Sequence, residues 1–303
     1  MKILLNRTPR SGPWGGGNLF VQAFFRYAGQ FGLSVTTDFG DGPDAVLIID
    51  PRYDELGISI NEIVQYRDKN PAVKIIQRVN ECDARKGTNE IDDLLRKYSY
   101  HNHMTIFVSD WIKQYHHDNG WLGKWAPTTE RVVLNGVDKT IFRPILKKNT
   151  KTNIVTHHWS NNDMKGADVH SWLDNFVSHH PQFSYTYIGR TKCQLKNSTH
   201  IQPLSGQALG DELAKHDIYI TGTLHDPGPN HVIEALACGL PTYACRDGGG
   251  AVEFVGKQHV YYTFDDLEAI LLSGKFLMNE WMPGTWEQCI SEYASVIKEI
   301  TNG

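Results

Sequence analysis

Two carboxylates, Asp226 and Glu234, stand eight positions apart, with Pro227, Gly228, Pro229, Asn230 and His231 between them. Gly228 and Pro229 make a turn that lets backbone approach a ligand. Asn230 reads as the N-cap of a helix, which Gly239 and Pro241 stop after about two to three turns. The unpaired N–H groups of a helix start, together with its dipole, attract anions. A carboxylate only accepts hydrogen bonds, so acids beside such a start suit hydroxyl groups. A ligand with both a phosphate and several hydroxyls, as in a sugar nucleotide, matches both features. Read alone, the same residues equally make a capped surface helix with routine acids.

Lys165, followed by Gly166, is the next candidate. A lysine at a helix start opposes the helix dipole, which favours a functional role over a merely solvated charge. Breaking a bond between an anomeric carbon and a diphosphate puts negative charge on the leaving phosphate and makes the sugar cation-like. Positive charge is then needed at the phosphate, where Lys165 and the helix start at residues 228–231 supply it. Gly249, within Gly248–Gly250, lets backbone amides reach a ligand or forms a mere turn. Gly16 and Gly17 admit close backbone approach in the same way. Asn80, Glu81 and Asp83, with Arg85 and Lys86 behind them, mark either an acceptor site or a solvated loop. Adjacent His157 and His158 would point to opposite faces of a strand, and no ligand set of metal-binding spacing accompanies them. They read as buried or nucleotide-facing; His116, His117, His179 and His180 read as surface residues.

Two α/β blocks must position these groups. Apolar runs predict strands at Ile3–Leu5, Ala45–Ile49, Lys74–Val79, Thr105–Val108 and Val132–Leu134, then at Ile154–His158, Phe183–Ile188, Ile218–Ile220 and Thr242–Cys245. Phe20, Phe24, Tyr27 and Phe31 share one helical face, as do Val169, Trp172, Leu173, Phe176 and Val177. Short apolar strands alternating with helices predict parallel sheets covered on both faces. In such sheets ligands bind beyond the C-terminal strand ends, where every candidate loop lies. If the two blocks face each other, those loops converge on one cleft.

The chain has 303 residues, a net charge of −4 and 40% hydrophobic residues, enough for two domains with real cores. With no long basic run, nucleic acid is not expected as a ligand. The apolar run at the N-terminus is too short for a signal peptide, and no segment is long enough to span a bilayer. Five scattered cysteines fit reduced thiols in a cytoplasmic protein. Peripheral membrane contact stays open.

Four pieces, in order, resemble a retaining glycosyltransferase of the GT-B fold, family 4, over nearly the whole chain. Gly15, Gly16, Gly17 and Asn18 resemble the family's N-terminal glycine loop. Val133–Asp138 with Phe142, Arg143 and Pro144 resembles its linker signature, and Met164, Lys165 and Gly166 its lysine–glycine phosphate motif. Asp226 to Glu234, continued by Ala235–Pro241 and Gly249–Val255, resembles its Glu-x7-Glu segment. The resemblance implies two Rossmann-like domains, α/β, with parallel sheets facing a central cleft. It implies an acceptor-side domain at 1–145, a donor domain at 146–283, and a final helix at 284–303 that crosses back.

The implied reaction moves a hexose-type sugar from a UDP-, GDP- or ADP-sugar to a glycan or other hydroxyl acceptor, with retention and without a bound metal. By the same resemblance Lys165 serves the phosphate, Glu234 the ribose hydroxyls and Asp226 the transferred sugar. Gly166, Gly228, Pro229, Asn230, His231 and Gly249 complete the donor site, and Gly16, Gly17, Asn80 and Glu81 lie on the acceptor side. The chain departs from the pattern at three places. Asp226 replaces a glutamate, Ser160–Met164 lacks an arginine that Arg190 would have to replace, and no histidine follows Lys74–Val79. Three rival readings are a sugar-nucleotide epimerase of similar two-domain shape, which the linker and lysine–glycine motifs disfavour, a catalytically silent nucleotide- or glycan-binding protein of this fold, and an NAD-dependent oxidoreductase. For the last, Asp38 mimics the ribose acid but the glycine loop begins too far from the first strand.

Overall fold

The computed structural model describes residues 1–12, 15–121 and 129–302. They form two compact units, Met1–Gly136 with Gly284–Gly303, and Val137–Pro283.

The first unit runs β1 (Lys2–Leu5), α1 (Gly16–Tyr27), β2 (Ser34–Thr36), β3 (Ala45–Ile48), α2 (Ile60–Lys69), β4 (Lys74–Val79), α3 (Asp83–Lys86), α4 (Ile91–Ser99), β5 (Met104–Phe107), α5 (Asp110–Asp118) and β6 (Thr129–Val132). Its sheet is parallel throughout, ordered β2-β1-β3-β4-β5-β6. Alternation along β1 divides the core. Ile3 and Leu5 join Phe20 and Phe24 of α1 on one face, whereas Leu4 joins Ile60 and Ile63 of α2 on the other. Strands buried on both faces must be apolar throughout, which is why they are short hydrophobic runs. Ser59 and Glu62 close a capping box on α2, and Ser109 Oγ accepts from Ile112 N at 3.1 Å to start α5.

The second unit runs β7 (Thr152–His158), α6 (Ala167–His179), β8 (Phe183–Gly189), β9 (Thr199–Ile201), α7 (Gly206–Leu213), β10 (Ile218–Thr221), α8 (Asn230–Ala237), β11 (Thr242–Cys245), α9 (Gly250–Val255), β12 (Val260–Tyr261) and α10 (Phe264–Ser273). This sheet is also parallel, ordered β12-β11-β10-β7-β8-β9. Read from β9, that is the doubly wound Rossmann order, whose direction of winding reverses between β7 and β10. Val169, Leu173 and Phe176 of α6 pack with Ile154, Ile218 and Ile220.

The last helix, α11 (Trp286–Asn302), belongs to the first unit, where Tyr293 packs 4.7 Å from Phe20, centroid to centroid. A Cβ on Gly136 would lie 2.4 Å from the Thr285 backbone, so the linker glycine allows two chain passages to touch. The expected strand at Val132–Leu134 ends at Val132 instead and begins earlier, at Thr129. Among the described residues, no helix is long and apolar enough to cross a membrane.

Candidate functional site

In the second unit, Lys165 follows β7 and Asp226 follows β10, the two strands that flank the reversal of winding. Lys165 Nζ lies 2.7 Å from Asp226 Oδ2, with side-chain exposures of only 11% and 7%. Two close backbone approaches set this pair. Gly166, at φ +81°, would place a Cβ 2.6 Å from the Gly222 backbone, so β10 presses the Lys165 turn into place. Gly249, at φ +68°, would place one 2.7 Å from Asp226 N, and Gly250 N donates to Asp226 O at 2.8 Å. Gly248–Gly250 are buried, and Gly249 bridges to Asp226, so this turn supports the Asp226 loop.

Helix α8 starts one residue earlier than expected. Pro229 is its N-cap, with no side-chain cap bond, and Asn230 is the first helical residue. The expected Asn230 cap is therefore corrected. Proline fixes its own φ near the value needed there, and Pro229 O receives Val232 N at 3.0 Å and Ile233 N at 3.2 Å. The helix stops as expected. Gly239 takes φ +70°, Leu240 N bonds to Ala235 O and Gly239 N to Leu236 O. Gly228 and Asn230 are half-buried, and Pro229 and His231 are buried.

Glu234 is held by His157, expected to be buried or nucleotide-facing. His157 Nε2 lies 2.8 Å from Glu234 Oε2, with exposures of 8% and 12%. His157 Nδ1 is buried without a hydrogen-bond partner. A carboxylate only accepts, so Nε2 is the ring nitrogen that donates to Glu234. Behind this pair lies a histidine cluster. The His158 and His231 rings are 4.6 Å apart, and the His158 and His170 rings 5.7 Å. His231 Nε2 meets Thr221 Oγ1 at 3.1 Å, and His158 Nε2 meets Thr223 Oγ1 at 3.2 Å. Burial holds His158 well below the usual imidazole range, helped by the nearby His231 and Lys165 charges, and pushes His170 down to about 3. Among the described residues, no group of three or more His, Cys, Asp or Glu is arranged to hold a metal.

Arg190 lies with its guanidinium 4.4 Å above the Trp159 ring, on the exposed rim after β8. Its main-chain carbonyl accepts from Tyr187 at 2.8 Å.

On the first unit, Gly16 and Gly17 open α1, and a Cβ on Gly17 would sit 3.7 Å from Asn80 Nδ2, at ordinary contact distance. These two candidates are thus neighbours. Asn18 holds the preceding loop by bonding both N and O of Arg10, at 2.7 and 2.8 Å. Glu81 is buried and ringed by cations: Lys86 at 2.8 Å, Arg85 at 3.0 Å and Arg52 at 3.6 Å. Burial alone would raise its pKa; Arg85 and Lys86 overcome that and bring it below the usual range. His116, expected at the surface, is buried and bonds Glu81 O at 3.1 Å. It lies on the inner face of α5, where Phe107 and Trp121 cover it, and its imidazole pKa is lowered by that burial. Asp38 caps a short turn by accepting from Gly40 N at 2.7 Å.

No family model matches the sequence, and a comparison with curated proteins finds no match. Solved structures do match in fold. Sucrose-phosphate synthase of Thermosynechococcus elongatus is 14% identical, with a TM-score of 0.66, covering 99% of this chain and 96% of its own. HepE of Anabaena, solved in complex with UDP-glucose, is 13% identical with a TM-score of 0.66, covering 100% and 97%. The pneumococcal O-GlcNAc transferase GtfA, in complex with UDP and GlcNAc, is 10% identical with a TM-score of 0.60. This chain spans only 57% of that transferase and 57% of the matched chain of the GtfA/B complex. At these identities the likeness is one of architecture, and the architecture is GT-B: two α/β units, each built on a parallel six-stranded sheet.

Proposed function

We propose that this protein is a glycosyltransferase that moves a sugar from a nucleotide-sugar donor to a glycan or other hydroxyl acceptor, retaining anomeric configuration and using no metal. The observation that carries the reading is the buried Lys165–Asp226 pair, set between the strands where the second sheet reverses its winding. That crevice is where doubly wound sheets take nucleotides. The matched structures with UDP, UDP-glucose or GlcNAc in their complexes support the same direction, as does the likeness of the Lys165 and Asp226–Glu234 segments to family 4.

In this reading the second unit binds the donor and the first the acceptor. Lys165 places a positive charge against the departing diphosphate, where charge grows during the reaction, and the start of α8 adds its amide dipoles. Asp226 lies between that ammonium and the transferred sugar. It keeps Lys165 aimed, and its negative charge counters the cation-like sugar. Glu234 accepts from the ribose hydroxyls, and Gly166, Gly228, Pro229, Asn230, His231, Arg190 and Gly249 shape the donor site. Gly16, Gly17 and Asn80 border the acceptor. Glu81 serves there as a counter-ion rather than a free hydrogen-bond acceptor, because three cations hold it.

The test is a thermal-shift screen with UDP, GDP, ADP, their sugars and NADH, followed by hydrolysis of whichever nucleotide sugar binds. A ligand selective for the native state raises its melting temperature. Stabilisation by one nucleotide family together with sugar release is expected. Binding without turnover, even with acceptors added, would make the chain a silent binder. Stabilisation by NADH alone would replace the reading with that of an oxidoreductase.

A further inference from the structure

A charged cluster lies at the other edge of the second sheet, where β7, β8 and β10 begin. There Lys147, Lys148, Thr150, Lys151, Gln182 and Asp217 border an open cleft of about 510 Å³. The seven residues of β7, Thr152–His158, separate this cleft from the edge that carries Lys165 and Asp226, a run of about 20 Å. The cleft is therefore no part of the proposed donor site.

Three chain passages fix it. Asn149 Nδ2 bonds Lys215 O and both oxygens of Asp217, each at 2.9 Å, and Asn153 N reaches Asp217 Oδ2 at 2.9 Å. Lys147 Nζ donates to the main-chain oxygen of the buried His216, and Thr152 N to Gln182 O at 3.0 Å. These bonds turn Asp217, the acid of the cleft, onto the groups that hold the loop. Among the described residues, none of Lys147, Lys148 and Lys151 forms a salt bridge, and Lys148 and Lys151 are exposed.

The wall is polar throughout: three lysines, two threonines, Asn149, Gln182 and Asp217. Small-molecule sites are ordinarily lined by apolar and aromatic groups. Here the attraction on offer is between opposite charges. An ammonium is a point charge with three donors, and it meets a phosphate without the planar match that a guanidinium needs. Ile145 and Leu146, 45% and 103% exposed, precede the lysines, and an anionic bilayer could use them as well. Two observations favour a small ligand. The lysines border a concavity, and Lys147 turns its ammonium inward to His216.

We propose that this cleft binds a compact small molecule carrying two or more phosphate groups, with the ammonium groups of Lys148 and Lys151 as its contacts and Thr150 and Gln182 as neutral donors.

Tripolyphosphate is titrated into the full chain by calorimetry at constant ionic strength. Wild type is compared with Lys148→Gln/Lys151→Gln, with Lys148→Arg/Lys151→Arg, and with Lys257→Gln/Lys275→Gln, two exposed lysines of the same unit outside the cleft. Both glutamine variants lower the net charge equally. Losing the two contacts should weaken binding by about tenfold or more. The control should weaken it by less than about twofold, because distant charges are screened, and the arginine variant should stay within about threefold of wild type. The Lys165 site can also hold this probe, so the difference between the two glutamine variants is what decides, and it stands whether or not UDP binds. Equal weakening in those two variants, or no binding of tripolyphosphate, overturns the proposal. Co-sedimentation with phosphatidylglycerol vesicles that needs Lys148 and Lys151, and that tripolyphosphate does not displace, overturns it in favour of a bilayer.

Discussion

The two sheets carry charge at their C-terminal edges in opposite ways. On the second, Lys165 meets Asp226 and Glu234 meets the His157 ring, all four nearly sealed from water. On the first, Arg7, Arg10, Arg52, Arg85 and Lys86 meet Asp50, Asp54 and Glu81, and most of these side chains remain partly exposed. A buried pair has a fixed partner and a fixed geometry because an unpaired buried charge is costly. A half-exposed network tolerates rearrangement and offers charge to whatever approaches. The first arrangement suits a reacting group that needs exact placement; the second suits an anchor.

The largest effect should come from splitting the buried pair. Lys165→Ala removes the cation 2.7 Å from the buried Asp226 carboxylate, and should lower stability by about 3–5 kcal/mol in urea titration. The double variant Lys165→Met/Asp226→Leu should recover most of that loss while remaining unable to turn over a nucleotide sugar. If Lys165→Ala costs less than about 1 kcal/mol, the pair is solvated and the contrast between the two edges disappears.

Next comes the pair at Glu234. Removing a charge-assisted contact to ribose with Glu234→Ala should weaken UDP binding by about tenfold to a hundredfold. His157→Phe removes the Nε2 donor and lets the carboxylate turn, so it should weaken UDP binding by about fivefold to tenfold. His157→Gln can restore an N–H near the same place and should rescue it. Comparing UDP with 2′-deoxy-UDP sharpens the point. Aim at the ribose predicts that the preference for UDP shrinks in His157→Phe, whereas a purely structural histidine would weaken both ligands alike.

Acid should separate the edges further. His170 is held near 3 by burial, and His158 is shifted the same way. Above about pH 6.5 these rings are neutral in folded and unfolded chains alike, and stability is full. Below it the unfolded chain takes up protons that the native unit refuses, so stability falls by up to about 1.4 kcal/mol per pH unit for each ring until its folded pKa is reached. His170 Nε2 has no hydrogen-bond partner, so His170→Phe should fold and should flatten the slope between pH 6 and pH 4 (roughly the window between the two pKa values). An unchanged slope would mean that the cluster is wetter than its packing indicates.

Much of this architecture is legible in the sequence, and what is legible has a physical cause. The eight inner strands, β1, β3, β4, β5, β7, β8, β10 and β11, are buried on both faces and were visible as apolar runs. The four edge strands, β2, β6, β9 and β12, lack a neighbour on one side and carry residues such as Ser34, Glu130, Arg131 and His200, so an apolar criterion passed over three and misplaced β6. The site followed the same division. Chemical type and spacing single out Lys165, Asp226 and Glu234 as candidates, and Lys165 and Asp226 meet at 2.7 Å. The His157 contact to Glu234 spans 77 positions, and nothing local announces it. The charge of the first edge was visible as Arg85 and Lys86, but its meaning depends on Arg52 and Glu81 meeting across two loops.

The smallest expected effect is the sharpest test of the contrast. Lys86 is one of three cations on Glu81 and is itself about a third exposed. Lys86→Gln should therefore change stability by less than about 0.5 kcal/mol, within the range of exposed pairs, because Arg85 and Arg52 still hold the carboxylate. A stability loss in Lys86→Gln as large as that in Lys165→Ala would show instead that the first edge is built as tightly as the second, and that its cations are there to hold the fold.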